Sequence, residues 1–354
     1  MQAQYRHHGC RITDDLRYKG YRSLFIENDL LRIGILLDKG TDIFQFLHKP
    51  SDTDFLWRSP QGLISREHFM STKSSSSGSF LDSYHGGWQE ILPGGGPDDY
   101  QGAELGLHGE ITHLGWQYEI LEDQESCVAV KMTVDCVRTP LRIEKTLRLE
   151  KGKPVLFIKE TVTNLSPSPI DFMWGHHPAF GAPFLREGVR LFVPAQEAET
   201  HEPAFSPNGI LEPGSRFNWP KTEAGGKEVD FSLIPDQEAG YSELLYLKNV
   251  DSGWYALLDP EKQIGIGLVW PIEVFPYLWF WLVYGRASGY PWWDRTYCIA
   301  VEPWSSIPNH LSKAIETGTT LHLEGGGDLQ VEMSAAVITG VSTVSHLSLD
   351  GSWR

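Results

Sequence analysis

The chain has little cysteine, no run of basic residues and no apolar stretch long enough to cross a membrane. Its four cysteines, Cys10, Cys127, Cys136 and Cys298, are scattered over 354 residues. None forms a CxxC pair, and none has metal-like spacing with a histidine, so reduced, structural thiols and a cytoplasmic location are expected. Lys and Arg total 30 against 46 Asp and Glu, a formal charge of −16. A nucleic acid or an anionic membrane surface needs clustered Lys and Arg, and this balance argues against both. The most apolar run, Val274 to Val283, falls far short of the ~20 residues of a membrane span. The N-terminal MQAQYRHHGCRITDD lacks the apolar core of a signal peptide. Missing too are the nucleophile elbow GxSxG, the phosphate cradle GxxxxGK[ST], HExxH and HxH. Gly94-Gly95-Gly96 follows Pro93 and opens no helical pattern, so it does not read as a dinucleotide fingerprint. Neither a metal nor an organic cofactor is expected.

No window of three turns carries a clean apolar stripe at i, i+3, i+4 and i+7. What the chain has is 13 Trp, 35 Gly and 22 Pro, together with short strand-like segments at fairly even spacing. Leu31–Leu37, Cys127–Val134, Arg142–Leu149, Val155–Val162, Tyr277–Tyr284 and Leu329–Ile338 are typical. Arg142–Leu149 alternates cleanly, with Ile143, Lys145, Leu147 and Leu149 on one face and Arg142, Glu144, Thr146 and Arg148 on the other. Such spacing predicts an all-β chain, a sandwich or a barrel rather than alternating β-α units. With no clear linker, residues 1–354 are expected to form a single domain. The low-complexity Lys73–Ser79 reads as a flexible loop. His85–Gly106 and Pro194–Gly226 read as long loops, the first of the kind that often carries function.

Three segments place a titratable residue where an apolar strand meets Gly or Pro: Leu107-His108-Gly109-Glu110, Trp174 to Gly181 with His176-His177-Pro178, and Ile299 to Trp304 with Glu302-Pro303. Strand ends hold an acid or a base rigidly at a cleft. The bland alternative for each is a hydrogen-bonded structural residue. His176 and His177 are neighbours in a strand and point to opposite faces, so they do not read as a metal pair. Trp279 and Trp281 share a face of one strand, as a stacking platform for a sugar or as part of a core. Trp88 lies beside Gln89 and Glu90, a combination suited to polar ligand contacts.

In their order, His108-Gly109, His177-Pro178-Ala179-Phe180 and Glu302-Pro303-Trp304 resemble the aldose 1-epimerase, or galactose mutarotase-like, family. Gly86-Gly87-Trp88-Gln89-Glu90 with Leu92-Pro93-Gly94-Gly95 resembles a divergent branch of it. The resemblance spans roughly residues 20 to 340 and implies a large twisted β-sandwich. It implies interconversion of sugar anomers, without a cofactor, on a small-molecule monosaccharide by a monomer or homodimer. His177 is similar to the family's general acid at the ring oxygen, Glu302 to its base at the anomeric hydroxyl, and His108 to a second histidine near the ring oxygen. Trp88, Gln89, Glu90, Trp281 and Asp294 are the expected substrate contacts. Galactose-specific members carry an Arg-x-x-Asn-like element where this chain has Trp88 to Pro93, so the sugar is left open. General acid–base chemistry suits the residue types, with a charged imidazole and an ionised carboxylate as opposed partners across a sugar-sized space. Arg66, Lys73 and Arg286 are the loose candidates for a phosphate contact. A non-catalytic carbohydrate-binding protein and a sugar lyase or hydrolase on the same sandwich are the competing readings.

Overall fold

The computed structural model describes residues 6–67 and 78–354. Most of Lys73–Ser79, including Lys73, lies outside the described residues. In chain order the principal strands are β1 (Arg11–Tyr18), β2 (Tyr21–Glu27), β3 (Leu31–Leu36), β4 (Asp42–His48) and β5 (Trp88–Ile91). They continue as β6 (Gln117–Asp123), β7 (Cys127–Asp135), β8 (Leu141–Glu150), β9 (Val155–Asn164) and β10 (Gly175–Phe180). After these come β11 (Arg190–Phe192), β12 (Glu197–Thr200), β13 (Arg216–Asn218), β14 (Tyr241–Lys248) and β15 (Trp254–Asp259). The last four are β16 (Ile264–Val269), β17 (Tyr277–Tyr284), β18 (Tyr297–Trp304) and β19 (Asp328–Thr339). Two short helices accompany them, α1 (Gly78–Ser83) and α2 (Leu311–Thr317).

Two antiparallel sheets dominate, so of the sandwich or barrel that the strand spacing left open, the sandwich that the resemblance implied is what forms. A 12-stranded sheet runs β1-β2-β3-β4-β5-β10-β18-β17-β14-β12-β13, with Thr53–Asp54 beside β4. An 8-stranded sheet runs β11-β15-β16-β19-β9-β8-β7-β6. The alternation of β8 becomes register: Ile143, Leu147 and Leu149 are buried and enter the inter-sheet core with Val128, Val130 and Met132 of β7. The first sheet answers with Ile33, Phe46, Phe180, Phe280 and Ile299.

The larger sheet is buried on its other face as well. On β17, Leu278, Phe280 and Leu282 face the inter-sheet core, while Trp279, Trp281 and Val283 join a second cluster outside it. That second layer is what makes the strand apolar throughout, since a strand covered on both faces loses its alternation. α1 and the loops after β12 and β17 lie over this outer face and leave a cavity there.

The two long loops of the sequence reading hold more structure than expected. His85–Gly106 contains β5, in the middle of the large sheet, and a small hairpin of Asp98–Tyr100 with Ala103–Leu105. Pro194–Gly226 contains β12 and β13 at the edge of the same sheet. Gly and Pro density signalled turns, and it hid the short strands between them. No helix among the described residues is long and apolar enough to cross a membrane.

Candidate active site

The outer face of the large sheet supplies the floor of a cavity of about 300 Å³. β10 and β18 are antiparallel with Gly175 opposite Trp304 and Ala179 opposite Ala300. That register sets His177 directly against Glu302. Next along the same row come Trp279 of β17 and Tyr246 of β14. The row above carries Ala179, Ala300, Trp281 and Leu244. Both partners of the pair line the cavity, and His177 Nε2 stands 3.4 Å from Glu302 Oε1.

Each group is held from behind. Trp304 Nε1 donates to Glu302 Oε2 at 2.9 Å, and its ring stacks on Trp279 at 3.9 Å between centroids. Gly175 lies under Trp304 with no room for a side chain: a Cβ there would stand 2.3 Å from the indole. Tyr84 Oη and His177 Nδ1 are 3.3 Å apart. His108 stands beside His177 with ring centroids 5.3 Å apart, and its other side packs edge-on against Phe80 at 4.4 Å. His108 has φ of 62°, the left-handed region that costs a non-glycine residue energy. Its N–H donates to Gly95 O at 2.8 Å, which ties the Gly/Pro-rich segment to the site. Gly95 must be glycine here, since a Cβ would lie 2.5 Å from the Trp279 ring.

Burial decides the electrostatics. Glu302 is 2% exposed, no Lys or Arg among the described residues pairs with it, and desolvation pushes its carboxyl up to about 8. Desolvation also brings the His177 imidazole down to about 4. His108 is held well below the ordinary histidine range by burial and by His177 beside it. Burial thus favours the neutral form of each partner, an imidazole and a carboxyl, with one titrating proton between them. Burial works against the expected charge state, a charged His177 and an ionised Glu302. The expected spacing is corrected, since the two are in contact rather than across a sugar-sized gap.

Of the expected contacts, His108, His177, Glu302 and Trp281 meet at the cavity. Trp88, Gln89, Glu90 and Asp294 do not line it. Trp88 and Glu90 face the inter-sheet core, where Trp88 Nε1 donates to His176 Nδ1 at 3.2 Å and Glu90 Oε2 meets Lys145 Nζ at 2.7 Å. Gln89 is on the cavity face, opposite His177 in register, yet its amide is held by Asp42 Oδ2 and Gly86 O. Reading these three as loop residues put them in the wrong place; they are a central strand. Asp294 is exposed and accepts from Ser288 Oγ at 3.1 Å, so it acts one step behind the cavity rim. Arg286 is exposed, Arg66 pairs with Asp38, and among the described residues no Lys or Arg lines the cavity.

Tyr84, Phe80, Ser242 and Asn309 line the cavity without having been singled out from the sequence. Tyr84 precedes the His85-Gly86-Gly87 turn, and that was the one available signal. Among the described residues, three buried polar atoms at the wall have no partner: Trp281 Nε1, His108 Nδ1 and Asn309 Oδ1. Buried polar groups are nearly always satisfied, so three orphans around one acid–base pair mark a place for a polar ligand.

The architecture is that of the galactose mutarotase-like proteins. A candidate aldose 1-epimerase of Klebsiella pneumoniae superposes with a TM-score of 0.70 at 15% identity, covering 94% of this chain and 84% of that one. A galactose mutarotase-like protein of Clostridium acetobutylicum gives 0.63 at 14% identity, covering 94% and 99%. A galactose mutarotase related enzyme of Lactobacillus acidophilus gives 0.60 at 14%, covering 92% and 100%. The chain belongs to the DUF4432 family, a domain of unknown function, whose pattern it matches over residues 18–337. No curated protein matches it in sequence.

Proposed function

We propose that this protein interconverts the anomers of a reducing sugar, as an aldose 1-epimerase does, with His177 and Glu302 as the acid–base pair. The contact between these two groups at the floor of the cavity carries the reading. Ring opening breaks the bond from C1 to the ring oxygen, forms a carbonyl at C1, delivers a proton to the ring oxygen and removes one from the anomeric hydroxyl. Both oxygens are bonded to the same carbon. An acid and a base in contact therefore suit the reaction better than a pair on opposite sides of the sugar. At rest the proton sits on Glu302. A sugar whose anomeric hydroxyl donates to Glu302 and whose ring oxygen accepts from His177 favours moving that proton to His177. The imidazolium then protonates the ring oxygen while Glu302 takes the hydroxyl proton. The aldehyde turns about its bond to C2, and closure on the other face runs the transfers backwards. His108 Nδ1, Trp281 Nε1 and Asn309 Oδ1 hold the remaining hydroxyls. The same reading treats the chain as one folding unit, because β1 and β19, near its two ends, belong to the two sheets that enclose one core.

Exchange spectroscopy or polarimetry across a panel of free aldoses tests the proposal. Accelerated anomer exchange with one of them is the expected result. Binding without exchange would favour a carbohydrate-binding protein, and neither binding nor exchange would end the sugar reading. The pair also predicts a pH profile. One shared proton is present between the two apparent pKa values, so kcat/KM should rise through about 4 and fall through about 8. A flat profile across that range would remove the pair from the mechanism. Trp281→Phe keeps the aromatic wall and deletes the unpartnered N–H. It should raise KM by about 5- to 10-fold with kcat little changed, the cost of one hydrogen bond at roughly 1 kcal/mol.

A further inference from the structure

His177 faces Glu302 with one ring nitrogen and Tyr84 with the other. A neutral imidazole has one donor and one acceptor, and an imidazolium has two donors. Trp304 Nε1 can only donate, and it occupies Glu302 Oε2 at 2.9 Å. That leaves Oε1, 3.4 Å from His177 Nε2, as the oxygen that exchanges a proton with the ring. With the proton on Glu302, Oε1–H donates to Nε2, and a neutral His177 carries its own hydrogen on Nδ1. With the proton on His177, both nitrogens carry one. Nδ1 is therefore a donor at either position of the exchanging proton. It stands 3.3 Å from Tyr84 Oη, and the residue's own backbone carbonyl, which can only accept, also bonds the ring. A phenol oxygen can donate or accept. Toward Nδ1–H, only accepting is left to it.

The phenol is held as a fixed acceptor should be. Tyr84 is 1% exposed. Phe80 stacks on its ring at 4.9 Å between centroids, and Trp57 lies against it at 5.7 Å. Its carbonyl accepts from Gln61 Nε2 at 3.2 Å, and the chain runs on at once into Gly86, where a Cβ would stand 2.2 Å from Trp57 O. Burial holds the phenol pKa well above its ordinary value, so Tyr84 keeps its hydrogen at neutral pH. Among the described residues Oη has no hydrogen-bond partner besides His177, and Tyr84 lines the cavity. We propose that Tyr84 is a positioning residue: its oxygen accepts from His177 Nδ1–H, which keeps Nε2 as the nitrogen that trades a proton with Glu302, and its own O–H is turned to the substrate. This rests on the reading of His177 and Glu302 as the acid–base pair and adds the group that sets the tautomer. A hydrogen bond from a charged donor is roughly twice as strong as one from a neutral donor. The contact therefore strengthens as His177 becomes an imidazolium, and Tyr84 acts more on the transfer step than on the resting site.

Nitrogen-15 NMR of histidine-labelled protein reads the tautomer directly, with the His177 signals assigned by their loss in His177→Ala. Midway between the two apparent pKa values of the pair, wild-type His177 should carry its hydrogen on Nδ1. Tyr84→Phe keeps the ring and its packing and removes the oxygen. In that variant the Nδ1 proton should move upfield, and kcat should fall roughly 10- to 100-fold, the size of one hydrogen bond to a charged group. KM should rise several-fold as the O–H donor is lost, and an unmoved KM would refute the contact of that O–H with the substrate. A bare Nδ1 in the wild type, with the hydrogen on Nε2, would overturn the proposal while leaving the anomerase reading standing. So would a Tyr84→Phe variant in which either the Nδ1 proton or kcat stays where it was. If Tyr84→Phe folds poorly, 3-fluorotyrosine at position 84, a weaker acceptor of nearly the same size, should shift the Nδ1 proton in the same direction. If no aldose exchanges, the anomerase reading fails, and the spectra still decide this one: a hydrogen on Nδ1 that responds to the change at position 84 supports it, and a bare or unresponsive Nδ1 refutes it.

Discussion

Glu302→Gln and His177→Ala should each lower the rate of anomer exchange by about 10²–10⁴-fold, with the protein still folded. The two losses should not add, because neither partner can complete a proton exchange alone. Glutamine keeps the volume and the acceptor for Trp304 Nε1 but cannot give up or take a proton. A drop in kcat is therefore expected without a matching rise in KM. The same variant has a second readout that a merely structural role would not produce. The folded-state pKa of Glu302 is raised by burial. Its contribution to stability is thus fully present below the ordinary carboxylate pKa and is lost as pH rises through about 8. Wild-type stability should fall on the order of a few kcal/mol over that window, and Glu302→Gln should flatten the fall. For His177 the sign is opposite: its lowered pKa gives stability that is present above the ordinary histidine value and lost as pH falls through about 4. Urea titrations from pH 4 to 9 on both variants separate the two slopes. Full exchange activity in Glu302→Gln would remove this residue from the chemistry.

The all-β class was legible because its evidence is local: alternation in β8 and short strands at even spacing need no tertiary knowledge, and the resemblance chose the sandwich over the barrel. His108, His177 and Glu302 were legible for a different reason, as titratable residues at strand ends joined by a resemblance in their order. Neighbours placed by topology were not legible. Nothing in Trp88-Gln89-Glu90 says that β5 lies between β4 and β10, so its residues read as an accessible loop while two of them face the inter-sheet core. Trp281 shows the converse. Its strand is core on both faces, and Trp281 also lines a cavity cut into one of them. The pull of burial on the charges of His177 and Glu302 was not legible, because sequence carries no measure of burial for a single Glu.

The largest effect on stability should come from a residue far from the cavity. Lys145→Met is expected to destabilise the fold by about 3–5 kcal/mol, the usual result of removing one partner from a buried ion cluster. Lys145 is 5% exposed and lies between the sheets, with its Nζ 2.7 Å from Glu90 Oε2 and 3.0 Å from Thr41 Oγ1. Glu160, opposite it on β9, stands 3.0 Å from His176 Nε2. Burial and Glu160 push Glu90 up, whereas for Glu160 the nearby His176 and Lys145 outweigh burial and hold it down. Without Lys145 the two carboxyl groups face each other with only His176 for compensation. The loss should shrink at low pH, where they can be protonated. Adding Glu90→Gln and Glu160→Gln to Lys145→Met should recover much of it, since a neutral hydrogen-bonded core does not need the cation. A loss under 1 kcal/mol for Lys145→Met would refute this account. The cluster bears on the active site through register. His176 and His177 are consecutive on β10, and a slip of one residue would exchange them between the two faces of the sheet. Glu160, with Trp88 donating to Nδ1, gives His176 partners that exist only on the inner face. That fixes which histidine faces the cavity, so the repaired triple variant, although stable, should lose exchange activity wherever β10 shifts.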